Sequence, residues 1–187
     1  MSMNPLSGGM PQLSVKSTSA LSAAERREVV DLCTRAFNQS FENLFDLIGE
    51  GSDTWHALAR LEGTLVSHAV WSPRQLQPAG RAPLRVAYVD AVATDPALQG
   101  QGLGSLTMQR LAEEIAAYQL GGLSTDRPSF YERLGWERWL GPLAMRSPEG
   151  QIVPTPGETV LILRTPQTPP LDVHALLLAE WRPEHPW

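Results

Sequence analysis

The sequence predicts an α/β (α+β) domain, a mixed and mostly antiparallel sheet flanked by helices. Three observations predict it. Leu84–Thr94 is rich in Val, Ala and Tyr without Gly or Pro, as a strand should be, and passes through a glycine-rich turn at 99–104 into an amphipathic helix. Trp55–Leu61 and 65–72 are apolar runs joined through Glu62-Gly63, the mark of a hairpin. The order of elements is strand, two helices, three antiparallel strands, loop, helix and further strands. With 187 residues, 42% hydrophobic and 19% charged, the chain is long and apolar enough for one domain with a real core.

Taken in order, residues 1–11 hold three Met, two Gly and two Pro and are expected to be a flexible N-terminus, with one domain over 12–187. Residues 12–18 form a first strand. Ser22-Ala23-Ala24-Glu25 is a capping box, and the helix it starts runs to about Phe37, burying Val29, Leu32, Cys33 and Phe37. Residues 41–48 give a second short helix, stopped by Gly49 and Gly51. Pro78-Ala79-Gly80 turns the chain into the central strand, and Asp95-Pro96 ends that strand. The next helix carries Leu103, Leu106, Leu111, Ile115 and Tyr118 on its apolar face. Then follow a short strand at 120–124, one or two helical turns at 129–134 ended by Gly135, and closing strands at 136–140 and 159–164. Residues 147–157 read as a Pro/Gly-rich loop, 165–170 as a stiff connector and 172–181 as helical.

A net charge of −5 argues against nucleic-acid binding and suits a cationic small substrate. The single cysteine, Cys33, cannot form an internal disulfide and sits at core spacing with Val29 and Leu32. His56, His68, His174 and His185 lack ligand spacing, so no metal is expected. Without a basic N-terminal run, an apolar leader core or a long apolar run, the reading is a cytoplasmic protein with no membrane partner. A homodimer is compatible with the tryptophan content and no more.

The chemistry points to the strand, turn and helix at 84–118. A helix N-terminus offers unpaired N–H groups and the positive end of its dipole, and glycines let a backbone approach an anion, so this arrangement suits a pyrophosphate. No Lys-Ser/Thr follows the glycines, which excludes a P-loop, and the spacing does not complete G-x-G-x-x-G. Gln99, Gly102 and Gly104 instead resemble the Gln/Arg-x-x-Gly-x-Gly/Ala loop of the GCN5-related N-acetyltransferases (GNAT). Phe130-Tyr131-Glu132-Arg133-Leu134-Gly135-Trp136 is similar to that family's later tyrosine segment. Within the family, Tyr88-Val89-Asp90-Ala91-Val92, 118–124, Gly141-Pro142, Glu180-Trp181-Arg182 and the terminal Trp187 resemble the aminoglycoside 2′-N-acetyltransferases.

The resemblance implies a bent sheet with acetyl-coenzyme A as cosubstrate in the split between the central strands, and a small-molecule amine as acceptor. It implies coenzyme contacts from Val92, Ala93, Gln99, Gly100, Gln101, Gly102, Leu103, Gly104 and Ser105. Tyr131 would protonate the leaving thiolate, Asp90 would relay the amine's proton through water, and the Val92 amide would meet the thioester carbonyl. Ser124 would contact substrate. Trp187 would line the acceptor pocket within a C-terminal helix and tail, 171–187. An ordinary tyrosine near pKa 10 lies within a couple of units of a thiol near 8.5, so transfer is feasible. Other readings stay open: Asp90 pairing with Arg85 or His68, Tyr131 as packing, Ser124 as a cap, Trp187 as a core plug. Ser40 and His185 stand where the aminoglycoside group has acids, with Glu42 and Glu158 as nearby carboxylates for an amine. Those departures leave room for another small amine, or for an acyl-coenzyme A sensor without catalysis.

Overall fold

The computed structural model describes residues 9–48, 53–182 and 187. The expected flexible N-terminus lies mostly outside them, as do Gly49, Gly51 and His185. The chain forms two compact units, Met1–Ser72 with Asp90–Leu111, and Pro73–Val89 with Ala112–Trp187. Its strands make a mixed, curled sheet with flanking helices, the architecture that the element order predicts.

In the first unit, β1 (Gln12–Ser17) pairs antiparallel with β2 (Trp55–Leu61), and β2 pairs antiparallel with β3 (Thr64–Pro78). The β2–β3 turn takes positive φ at both central residues, 48° at Glu62 and 83° at Gly63, the conformation that matches strand twist in two-residue hairpins. The last part of β4 (Leu84–Thr94) lies beside β3, with Asp95 N bonded to Val66 O at 2.9 Å. Helix α1 (Ala23–Phe37) begins at the predicted capping box: Ser22 Oγ accepts from Glu25 N, and Glu25 Oε2 accepts from Ser22 N. Lys16 Nζ reaches Glu25 Oε1 at 2.7 Å, and this bond above all holds the Glu25 carboxyl down at about 2. The helix buries Val29, Leu32 and Cys33 against Leu21, Leu44, Leu58, Leu65 and Ala93. Phe37 departs from expectation: it is exposed and stacks on Phe41 at 5.0 Å, because Asn38 in the left-handed conformation ends the helix just beyond it. Helix α2 (Leu44–Ile48) follows. Helix α3 (Leu103–Glu114) buries Leu103, Met108 and Leu111, but Leu106, expected on that face, points outward.

In the second unit, β5 (Leu120–Ser124) pairs parallel with the start of β4 and antiparallel with β9 (Val160–Arg164). Helix α4 (Pro128–Glu132) leads through Gly135, φ +88°, into β6 (Glu137–Arg138), a two-residue strand within the longer one expected there. The span 147–157 is not all loop: β8 (Ile152–Pro154) pairs with β7 (Leu143–Arg146), a strand the sequence did not announce. The expected C-terminal helix is a strand. Here β10 (Leu177–Glu180) runs antiparallel to the end of β3 and parallel to β7. Leu177, Leu178 and Ala179 are all buried, so burial is continuous along it rather than helical, as in a strand paired on both edges. The core joins Leu76, Val86, Tyr88, Leu120, Trp139, Ile162, Leu177 and Trp187.

Candidate acyl-transfer site

The first unit carries the glycine-rich turn at 99–104. Asp95 Oδ1 accepts from Ala97 N and Pro96 starts a single 3₁₀ turn, so β4 ends sharply. Gln99 Nε2 then donates back to Thr94 O at 3.2 Å, closing the loop on the strand. Gly100 and Gly102 have φ of +78° and +84°, a conformation that residues with a Cβ rarely adopt. Leu106 N makes the first helical bond, to Gly102 O. The amides of Leu103, Gly104 and Ser105 come before it and stand at the positive end of α3. Gln99, Gly100, Gln101 and Gly102 are exposed, and Gly104 and Ser105 half-buried, so an anion can reach them. The donor set therefore fits the pyrophosphate of coenzyme A.

Upstream in β4, Ala91 has φ +46° within a strand. A left-handed residue there turns the following peptide out of the regular ladder, as a bulge does. That peptide carries the Val92 N–H. Its carbonyl, Ala91 O, lies 3.1 Å from His68 Nδ1. Ala93 is buried, Val92 and Asp90 half-buried. His68 bonds to this carbonyl and to His56. Sequence gave no signal for the Ala91 conformation. The meeting of His56 and His68 had one: the hairpin register places Leu58 opposite His68, which sets His56, two residues away, on the same face. In this unit Ser40 and Glu42 are exposed, and Glu42 N lies 3.4 Å from Ser40 Oγ. Glu42 lines a cleft with Arg26, Arg27, Val30, Asp31 and Phe45.

The second unit holds the remaining expected residues. Tyr131 is buried, edge-on to Phe130 and Trp136 at 4.9 and 6.1 Å. Burial pushes its phenol up to about 12, with the Asp126 carboxylate adding to the effect and Arg127 and Thr125 opposing it. Ser124 Oγ donates to Glu158 Oε2 at 3.0 Å, so two expected substrate contacts meet each other. Trp187 is buried in the core, and its Nε1 donates to Thr155 Oγ1 at 2.7 Å. Among the described residues no helix is long and apolar enough to cross a membrane.

The mixed curled sheet, with a glycine turn leading into the N-terminus of α3, is the fold of an acyl-coenzyme A transferase. The chain belongs to the GNAT acetyltransferase family, whose domain model matches residues 17–139, and it is an N-acetyltransferase that uses acetyl-coenzyme A. It is 36% identical over 140 residues to an aminoglycoside 2′-N-acetyltransferase of Mycolicibacterium fortuitum, covering 71% of this chain and 70% of that one. Two solved structures share the fold. Escherichia coli ElaA superposes with a TM-score of 0.61 at 16% identity, over 83% of this chain and 100% of its own. A probable N-acyltransferase of Enterococcus faecalis V583 gives 0.59 at 22%, over 71% of this chain, which spans only 33% of that longer protein.

Proposed function

We propose that this enzyme acetylates the 2′-amine of an aminoglycoside or a closely similar polyamine. The observation that carries the reading is the 36% identity to the Mycolicibacterium fortuitum enzyme, sustained over 71% of the chain. In this reading the amides of Gly102, Leu103, Gly104 and Ser105, with Gln99, Gly100 and Gln101 shaping the turn, take the pyrophosphate. Val92 N–H, with Ala93 beside it, receives the acetyl carbonyl, where charge develops as the amine attacks. Asp90 draws the amine's proton away through water. Ser124 and Glu158, bonded to each other in the second unit, and separately the exposed Ser40 and Glu42 in the first, offer polar groups to the amine, whereas Trp187 is a core plug. Holding amine and thioester together supplies much of the rate.

Tyr131 works differently from an ordinary phenol. With its pKa near 12 it lies more than three units above a thiol of roughly 8.5. It therefore stays protonated and donates a hydrogen bond to the sulfur as negative charge grows there. It does not give up its proton ahead of that charge.

Coenzyme A thiol release tests the acceptor directly. Kanamycin B carries an amine at the 2′ position and kanamycin A a hydroxyl. Release with B and not with A is expected. Release with neither, in a protein that binds acetyl-coenzyme A, overturns the acceptor. A second reading, another small amine, is favoured by Ser40, which is exposed and uncharged where the aminoglycoside group has an acid. Under that reading, monoamines turn over and kanamycin B does not.

A further inference from the structure

Four groups in the first unit form a buried polar chain. Thr18 Oγ1 lies 2.9 Å from His56 Nε2, His56 Nδ1 lies 2.9 Å from His68 Nε2, and His68 Nδ1 lies 3.1 Å from Ala91 O. Thr18, His56 and His68 are wholly shielded from solvent. Polar side chains at such depth are costly unless every donor and acceptor is matched.

Matching fixes the direction of the chain. Ala91 O can only accept, so His68 Nδ1 must carry a proton. A neutral His68 then has a bare Nε2, which must accept, so His56 Nδ1 carries a proton in turn. His56 Nε2 is then bare and accepts from the Thr18 hydroxyl. Thr18 Oγ1 also lies 3.2 Å from Thr54 O, but that carbonyl already takes Thr18 N at 2.8 Å, so the hydroxyl proton goes to the nearer His56 Nε2. Both rings are neutral at physiological pH: burial brings His56 down to about 3, with His68 and Arg26 contributing, and His68 to about 4. Every bond therefore points toward Ala91. Cys33 Sγ, 3.9 Å from His68 Nδ1, closes the remaining side, and burial pushes its thiol up to about 12, so it brings no charge.

Ala91 O and Val92 N–H are the two ends of one peptide group. We propose that His68 is a positioning residue, whose Nδ1–H pins and polarises this peptide so that Val92 N–H is aimed and strengthened as the donor to the acetyl carbonyl. The inference rests on the reading of Val92 given above. Two effects follow from the geometry. A proton donated to a carbonyl draws charge through the amide and makes its N–H a stronger donor, and a chain of such bonds reinforces each member. The bond also holds Ala91 in its left-handed conformation, which a residue with a Cβ rarely adopts. His56 and Thr18 act behind His68 by leaving it one usable tautomer.

The test uses the full chain labelled with nitrogen-15. In the wild type, imidazole nitrogen shifts at neutral pH should show both His56 and His68 neutral and protonated at Nδ1. A proton on Nε2 of either ring, or a charged ring, overturns the proposal without any variant. Two substitutions then separate position from bulk. The side-chain amide nitrogen of His68→Asn falls near Nδ1 and keeps a donor for Ala91 O. That of His68→Gln falls near Nε2 and loses it. The Val92 amide proton should move upfield in H68Q and stay close to wild type in H68N. With acetyl-coenzyme A and kanamycin B, kcat should fall about tenfold in H68Q with KM for acetyl-coenzyme A unchanged, and recover most of that in H68N. Removing such a donor outright costs about 100- to 1,000-fold, so weakening one should cost less. An unmoved Val92 signal in H68Q sinks the inference and leaves the functional reading standing. A shifted Val92 signal with unchanged kcat sinks the role of Val92, and the catalytic part of the inference with it.

Discussion

Burial decides what the Tyr131 hydroxyl can do. Its pKa of about 12 keeps the proton in place across the whole working range, so ionisation of this phenol should produce no alkaline loss of rate below about pH 11. Tyr131→Phe removes the hydroxyl and keeps the ring against Phe130 and Trp136. We expect kcat with kanamycin B to fall about 100-fold, the lower end for losing one fixed donor to a developing charge, with KM for acetyl-coenzyme A within twofold. Turnover within twofold of wild type would remove Tyr131 from the chemistry. Its placement was legible because the motif fixes a helix turn before Gly135. Its acidity was not, because the surroundings that raise it come from packing rather than from neighbours in sequence. Ala91 shows the same limit, since alanine carries no signal for positive φ and its conformation is held by a histidine 23 residues away.

Elements whose geometry is set locally matched the reading, and elements set by their partners did not. Leu84–Thr94, the capping box of α1 and the Glu62-Gly63 hairpin depend on near neighbours, and all three are present. β10 looked helical because Val173, Leu176, Leu177 and Glu180 share a helical spacing. Two strand edges overrode that preference. β7 and β8 are short strands among Pro and Gly, and they form by pairing with each other and, for β7, also with β10. Gly121 and Gly141 carry information of a further kind, because they are places where a side chain does not fit. A Cβ on Gly121 would lie 2.9 Å from Ile115 Cδ1 and 3.1 Å from both Leu163 and Trp136, and one on Gly141 only 2.0 Å from Ala175 O. Side chains around Gly121 can yield, at an overpacking cost of about 1–3 kcal/mol, whereas the backbone around Gly141 cannot. Denaturant unfolding should therefore rank Gly141→Ala as most damaging, Gly121→Ala next and Gly9→Ala, with nothing within 4 Å, as neutral. Equal midpoints for the first two would show that the 141–175 contact is loose.

If the acceptor is the aminoglycoside proposed above, charge separates the two substrates over the whole molecule. The protein carries −5, acetyl-coenzyme A is an anion and an aminoglycoside is a polycation. On the proposed reading the mismatch is resolved locally: backbone amides at the start of α3 offer positive dipole ends to the coenzyme without adding a cationic side chain. The carboxylates are left to govern the approach of the amine. Screening should then act with opposite signs. Raising ionic strength from about 0.01 M to about 0.15 M shortens the screening length from about 30 Å to about 8 Å. KM for kanamycin B should rise severalfold over that range as long-range attraction is lost, while KM for acetyl-coenzyme A should stay level or fall as net repulsion is relieved. Steady-state kinetics at fixed pH in sodium chloride would show it. A KM for kanamycin B that ignores salt would mean that short-range contacts alone recognise the amine, which would favour a smaller, less charged acceptor. A KM for acetyl-coenzyme A that rises with salt would mean that arginine or lysine side chains, rather than the amides at 102–105, carry the pyrophosphate.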